Sequence, residues 1–180
     1  MTVIQKNYRL FLRRLRKSDL DRTWEWMHRR DINDKIGVQI PFTKEQQQQW
    51  YKRLQKDKSK IVFAICGVID SKHIGNVSLD MIDSRHNNAR FSIFIADKDV
   101  RGMGLGSEAL SLLELYAHKE LNLHKIWCKT DTNDSKVLRF YESLGFQQEA
   151  ILKEHELKNG KYIDKIIMAK IIDVDRSEDE

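Results

Sequence analysis

Apolar and polar positions along the chain follow two periods, and the switches between them mark its elements. Tyr8 to Leu12 (YRLFL) suits a first strand. Ser18 with Asp21 reads as a capping box that opens a helix through Leu20, Trp24 and Met27. Thr43 with Gln46 repeats that signature ahead of a second helix carrying Trp50, Tyr51 and Leu54. Lys60 to Cys66 and His73 to Met81 read as strands joined by a hairpin loop over Gly67 to Lys72. Arg90 to Ala96 (RFSIFIA) is nearly all apolar, which predicts a strand buried on both faces. A glycine-rich turn, Arg101 to Gly106, follows it. Ala109, Leu110, Leu113, Tyr116 and Ala117 then recur at helical spacing and predict an amphipathic helix from about Ser107 to Glu120.

The alternation continues to the end of the chain. Lys125 to Thr130 reads as a strand, and Asp134 to Ser143 as a helix closed by Gly145 in a left-handed conformation. Two last strands, Gln147 to Leu157 and Tyr162 to Ile172, flank the hairpin signal Asn159-Gly160. This order implies an α/β fold with a single mixed central sheet of about six to seven strands flanked by about four helices.

Composition narrows the class. A length of 180 residues fits one domain, expected over residues 1–172. The last eight residues (DVDRSEDE) are acidic and are expected to fray, so the formal charge of +5 leaves +9 on residues 1–172. Such a surplus points to an anionic partner without saying which. Two cysteines, Cys66 and Cys128, are too few for a disulfide framework, which implies a reducing compartment, the cytoplasm. The longest apolar run, Ile61 to Ile69, is far below the roughly 18 residues of a membrane span, so no membrane partner is expected. His28, His73, His118, His124 and His155 lack metal-ligand spacing and read as surface or satisfied histidines, so no metal is expected.

The most informative segment is RGMGLGSEAL, residues 101–110. Gly102, Gly104 and Gly106 remove side chains where the backbone must turn and approach a ligand, and the first amides of the following helix lack internal acceptors. Such a helix start takes an anion, typically phosphate or pyrophosphate. Position 107 is Ser rather than the third Gly of G-x-G-x-x-G, and no Gly-Lys-Ser/Thr follows for a Walker A loop.

Arg101-x-x-Gly104-x-Gly106 resembles the pyrophosphate-binding signature (Arg/Gln-x-x-Gly-x-Gly/Ala) of the GNAT superfamily of N-acetyltransferases. Downstream, NDSKVLRFYESLGF resembles that superfamily's Asn-x-x-Ala-x-x-x-Tyr-x-x-x-Gly-Phe segment, through Asn133, Tyr141, Gly145 and Phe146, with Lys136 where Ala is commoner. The resemblance spans nearly the whole chain. LFLRRLRKSDLD and ESLGFQQEAILKEHELKNGKYID look like the branch that holds ribosomal-protein N-terminal, spermidine and nucleotide-aminosugar acetyltransferases.

The resemblance implies acetyl-CoA as co-substrate and a primary amine as acceptor, attacking the thioester directly in a ternary complex. It implies coenzyme contacts from Phe94 and Ile95 through main-chain atoms, and from Arg101, Gly102, Met103, Gly104, Leu105, Gly106, Ser107, Asn133, Lys136 and Arg139. Tyr141 would protonate the leaving thiolate. Many relatives place a Glu general base near the start of the strand before the turn, but Arg90 stands there. Ser78 and Asp80 are then the first candidates, followed by His86 and Glu25. Trp24, Trp26 and Trp50 lie on the two early helices, and Trp26 with Glu25 is expected to shape the acceptor pocket.

The basic body favours a nucleotide-linked aminosugar as acceptor, ahead of a ribosomal-protein N-terminus and then a polyamine or aminoglycoside, acting as a monomer or homodimer. The rival class is a nucleic-acid or ribosome-binding module built on Arg9, Arg13, Arg14, Arg16, Lys17, Arg29 and Arg30, but no aromatics interleave with these residues.

Overall fold

The computed structural model describes residues 2–4, 8–36, 42–158 and 160–172. The strands are β1 (Thr2–Ile4), β2 (Leu10–Arg14), β3 (Ile61–Gly67), β4 (His73–Asp83), β5 (Asn88–Ile95), β6 (Lys125–Asp131), β7 (Gln147–Lys158) and β8 (Lys161–Ile171). The helices are α1 (Leu20–Met27), α2 (Arg30–Ile36), α3 (Lys44–Leu54), α4 (Leu105–Lys119) and α5 (Ser135–Ser143). One mixed sheet holds the strands in the order β1-β2-β3-β4-β5-β6-β8-β7, antiparallel throughout except for the parallel pair β5–β6. This is the expected α/β architecture, with the short β1 and α2 added to it. The Asn159 half of the expected Asn159-Gly160 turn and the acidic tail, 173–180, lie outside the described residues.

Residue parity along the strands builds two layers. On β3, Ile61, Phe63 and Ile65 face α4 together with Leu10, Leu12, Val77, Leu79 and Phe91. Val62, Ala64 and Cys66 face the opposite way, against Leu20 of α1 and Trp50, Tyr51 and Leu54 of α3. Residues 61–66 of the apolar run thus form a strand with both faces covered, while Val68 and Ile69 at its end are exposed; each large buried side chain contributes about 1.5–3 kcal/mol.

Two of the predicted end signals form as read. Thr43 Oγ1 accepts from Gln46 N–H (3.2 Å) while Gln46 Oε1 accepts from Thr43 N–H (2.7 Å). At the end of α5, Gly145 has φ +85°; its N–H reaches the Glu142 carbonyl (3.0 Å) and Phe146 N–H reaches that of Tyr141 (3.1 Å), a Schellman closure. The Ser18–Asp21 box does not form. Instead Asp19 closes a short 3-10 turn, Lys17–Asp19, by accepting Arg16 N–H (2.7 Å), and Arg13 grips the same carboxylate from β2 at 2.6 and 2.8 Å. A partner on another element outbid the local one. The first strand is also shifted to Leu10–Arg14.

β5 departs from expectation where it matters most. It is not buried on both faces: Ala89 and Phe91 are covered, but Ser92 is exposed and Ile93 to Ile95 are half-buried. Its pairing with β6 covers only Asn88↔Lys125, Ala89↔Ile126 and Arg90↔Trp127, after which the two strands part. Main-chain groups that residues 91–95 direct toward β6 therefore meet no strand partner. On its other side β5 stays locked to β4, where a Cβ on Gly75 would collide with the Phe94 carbonyl oxygen.

Candidate functional site

The glycine turn lies at the open end of β5. Gly102 and Gly104 both have φ +80°, the left-handed conformation that a side chain opposes, so these two positions need glycine. Gly106 does not: a Cβ there would only touch the Phe140 ring at 3.5 Å. The Gly104 carbonyl accepts from Ser107 N–H (3.1 Å) and Glu108 N–H (3.2 Å). Among the described residues, the amides of Gly102, Gly104, Leu105 and Gly106 are left without a main-chain acceptor. They stand at the positive end of the 15-residue α4, a setting that suits phosphate oxygens.

α5 borders the turn, since Phe140 lies against Gly106. Lys136, four residues before Phe140, shares that helical face, and both Lys136 and Arg139 are exposed. Asn133 is exposed ahead of the helix, and the N-cap is Asp134, whose carboxylate accepts Val137 N–H at 3.1 Å. Eight positions separate Asn133 from Tyr141, one more than the motif allows. The motif's Asn and Ala places therefore fall on Asp134 and Val137, a correction to the assignment of Asn133 and Lys136 on that ground.

Tyr141 sits at the fork of the two strands. Its ring meets Phe91 edge-on at 5.6 Å and Phe146 at 5.7 Å, and it neighbours the Cys128 thiol. Phe91 and Cys128 are the first residues of β5 and β6 beyond their last paired positions. Burial raises the Tyr141 hydroxyl well above its ordinary range, and the neighbouring Cys128 adds to this. Burial likewise pushes the Cys128 thiol up to about 12, against a small opposing effect of Tyr141 beside it. Tyr141 is thus a neutral donor across the working pH range.

The Cys128 shift has a measurable consequence. A folded-state value above the unfolded one near 9 gives stability that is fully present below pH 9 and lost as pH rises toward about 12. Urea unfolding above pH 9 is expected to show a decline of up to about 1.4 kcal/mol per pH unit from this one proton. The decline should be shallower in Cys128→Ala, and an equal slope in both proteins would contradict the assignment.

The other face of the sheet carries a polar row. Cross-strand pairs place Asn76 beside Phe94, Ser78 beside Ser92 and Asp80 beside Arg90. Ser78 is buried and shares a hydrogen bond with Ser92 (Oγ to Oγ 2.8 Å), whose hydroxyl is the exposed end of the pair. Alternation on β5, two residues before Phe94, would have found Ser92. Asp80 is buried, and Arg90 Nε holds its Oδ1 at 2.6 Å. His86 lies in the β4–β5 turn, at the far end of β5 from the glycine turn.

Trp26 faces this row, edge-on to Phe94 at 6.1 Å and to His73 at 4.7 Å, and Glu25 beside it is exposed. Trp24 instead donates to the Phe42 carbonyl (2.9 Å), and Trp50 packs into the core under β3. His73 is neither at the surface nor fully satisfied. It is buried, its Nε2 is 2.7 Å from Asn76 Oδ1, and its Nδ1 has no hydrogen-bond partner, with Asp19 Oδ1 at 3.6 Å. Burial lowers its affinity for a proton.

The Arg101 side chain turns back from the glycine turn. Its Nε donates to the Ile95 carbonyl (2.9 Å) and its guanidinium pairs with Asp31 of α2 (2.8 Å). Arg29 grips the same carboxylate at 3.1 and 2.8 Å and donates to the Ala96 carbonyl (2.9 Å). Arg29 first, then Arg101, holds Asp31 far below the usual carboxylate range. Arg9, Arg13 and Arg29 all spend their charge on carboxylates of this chain, which weakens the nucleic-acid reading. No helix among the described residues is long and apolar enough to cross a membrane.

An open strand edge, a turn with two left-handed glycines beside it and a buried tyrosine at the fork lie together at the parting of β5 and β6. The acetyltransferase (GNAT) domain family matches residues 9–147, and the chain belongs to it. The chain is 31% identical over 121 residues to a probable N-acetyltransferase, YjcK, of Bacillus subtilis (strain 168), covering 67% of this chain and 66% of that protein. It is 33% identical over 99 residues to spermidine N(1)-acetyltransferase of Escherichia coli (strain K12), covering 55% and 53%. Among solved structures, spermidine N-acetyltransferase from Vibrio cholerae in complex with CoA and spermine superposes with a TM-score of 0.86 at 27% identity, covering 92% of this chain and 96% of that one.

Proposed function

We propose that this protein transfers the acetyl group of acetyl-CoA to a primary amine of the polyamine class. The observation that carries the donor assignment is the parting of β5 from β6 after Arg90, directly beside a turn with two left-handed glycines. The spermidine acetyltransferases among its relatives support the acceptor class, in place of the nucleotide-linked aminosugar expected first from charge alone.

Acetyl-CoA supplies an activated thioester carbonyl; the chain supplies position and charge. The amides of residues 102–106 receive the pyrophosphate, and the main-chain groups that Phe91 to Ile95 direct away from β4, apart from the Ile95 carbonyl held by Arg101, take the pantetheine arm as a further strand would be taken. Tyr141 holds a proton at its hydroxyl, at the fork on the α4–α5 side, ready for the departing sulfur. The amine enters from the opposite face between Trp26, Phe94 and the Ser78–Ser92 pair. Ser92, backed by Ser78, holds a water that takes the amine's proton; Asp80 is already engaged by Arg90.

Glu25 is an exposed carboxylate on this side, next to Trp26, and it anchors the far ammonium of the polyamine. Glu25→Gln is expected to raise the KM for spermidine about tenfold with kcat little changed; an unchanged KM removes Glu25 from the pocket. A second reading, a nucleotide-linked aminosugar, is favoured by one observation: Asp19, Asp31, Asp80 and Asp131 on the acceptor side are all neutralised by Arg or Lys. Free-thiol release from acetyl-CoA across polyamines, UDP- and TDP-aminosugars, aminoglycosides and N-terminal peptides separates the two. Turnover confined to the sugars overturns the polyamine assignment.

A further inference from the structure

We infer that Arg9 is a positioning residue of the phosphate site, acting by neutralising Glu108. The inference rests on the acetyl-CoA reading above. Glu108 lies in the first turn of α4, beside the amides that would receive the pyrophosphate. A bare carboxylate there competes with a phosphate for the same positive helix end and repels it.

Arg9 prevents this from 99 residues away in sequence. Its N–H donates to Glu108 Oε2 at 2.9 Å and its Nε to Oε1 at 2.6 Å, while its terminal nitrogen pairs with Oε1 and donates to the Met103 carbonyl at 2.9 Å. The Arg9 carbonyl accepts Val68 N–H (2.9 Å), which fixes the residue to the end of β3. Arg9 thus engages both carboxylate oxygens, Oε2 through its main-chain N–H and Oε1 through its guanidinium, and the same guanidinium holds a carbonyl of the glycine turn. Its guanidinium stands 3.5 Å from where a Gly104 Cβ would be and is 56% exposed, which places the ion pair at the mouth of the turn.

Because the pair is solvated, it contributes little to stability. Its effect is expected in coenzyme affinity instead. The same grip also bridges β2 to the start of α4, so a purely architectural role is the alternative to exclude.

Calorimetric titration of CoA into wild type, Arg9→Gln, Glu108→Gln and the double variant tests this, with thermal unfolding to check that all four fold. Arg9→Gln is expected to weaken CoA binding about tenfold. Glu108→Gln alone should bind at least as well as wild type, and the double variant should recover to within about threefold of wild type. The recovery is the decisive readout, because an architectural link stays broken in the double variant while the unpaired charge is gone. Unchanged affinity in Arg9→Gln, or a double variant as weak as Arg9→Gln, overturns the inference and leaves the coenzyme assignment standing. Absence of CoA binding in wild type overturns both.

Discussion

Gly104→Asp is expected to abolish measurable CoA binding in a protein that still folds. Gly104 has φ +80°, and aspartate is among the few side chains that enter this region, at a cost of about 1–2 kcal/mol. The nearest atom a Cβ would meet is the Arg9 guanidinium at 3.5 Å, so the new carboxylate finds both room and a partner. It also brings its charge to the amides of residues 102–106, where the pyrophosphate belongs. A loss of at least about a hundredfold in affinity follows, equivalent to about 2.7 kcal/mol. Gly104→Asn introduces the same shape without the charge and should lose about tenfold or less. Equal losses in the two variants would mean that shape rather than charge is excluded, and wild-type affinity in Gly104→Asp would remove the turn from the phosphate site.

Tyr141→Phe is expected to lower kcat about a hundredfold while CoA affinity stays within about twofold. The ring contacts with Phe91 and Phe146 survive this change, and only the hydroxyl beside Cys128 is lost. Burial keeps that hydroxyl protonated in the folded state, so it offers a proton wherever the enzyme works. Wild-type turnover in Tyr141→Phe would exclude it as the acid. Stopped-flow release of thiol, with binding measured separately, distinguishes this from a loss of donor affinity.

The turn and the fork differ in how far the sequence reveals them. Gly102, Gly104 and the first turn of α4 are read from a dozen consecutive residues, because a left-handed turn before a helix leaves a local trace. Gly145 and the Thr43–Gln46 box are equally local and form as read. The open face of β5 is not local. RFSIFIA looks like a strand covered on both sides, and only the divergence of β6, set more than thirty residues later in the chain, uncovers it.

Long-range ion pairs account for the other differences. Asp19 replaces Ser18 at the start of α1 because Arg13 lies across from it; Asp80 is withdrawn as a free base by Arg90; Arg101 is drawn to Asp31. Charge in the sequence gives a number of cations but not their partners. Ion pairs inside the fold leave the +9 of residues 1–172 unchanged, so net charge does not choose the acceptor, and the polyamine reading rests on the spermidine acetyltransferases among the relatives.

The most direct measurement is the balance of products in a single reaction. Protein is mixed with acetyl-CoA and spermidine, and free CoA and acetylated amine are quantified over the same time course, with no-protein and Tyr141→Phe controls. Equimolar appearance of the two, dependent on protein and slowed by Tyr141→Phe, is the expected result. Release of CoA without acetylated amine across the whole acceptor panel, or no release at all, would contradict the assignment of this fold and its split strands to amine acetylation.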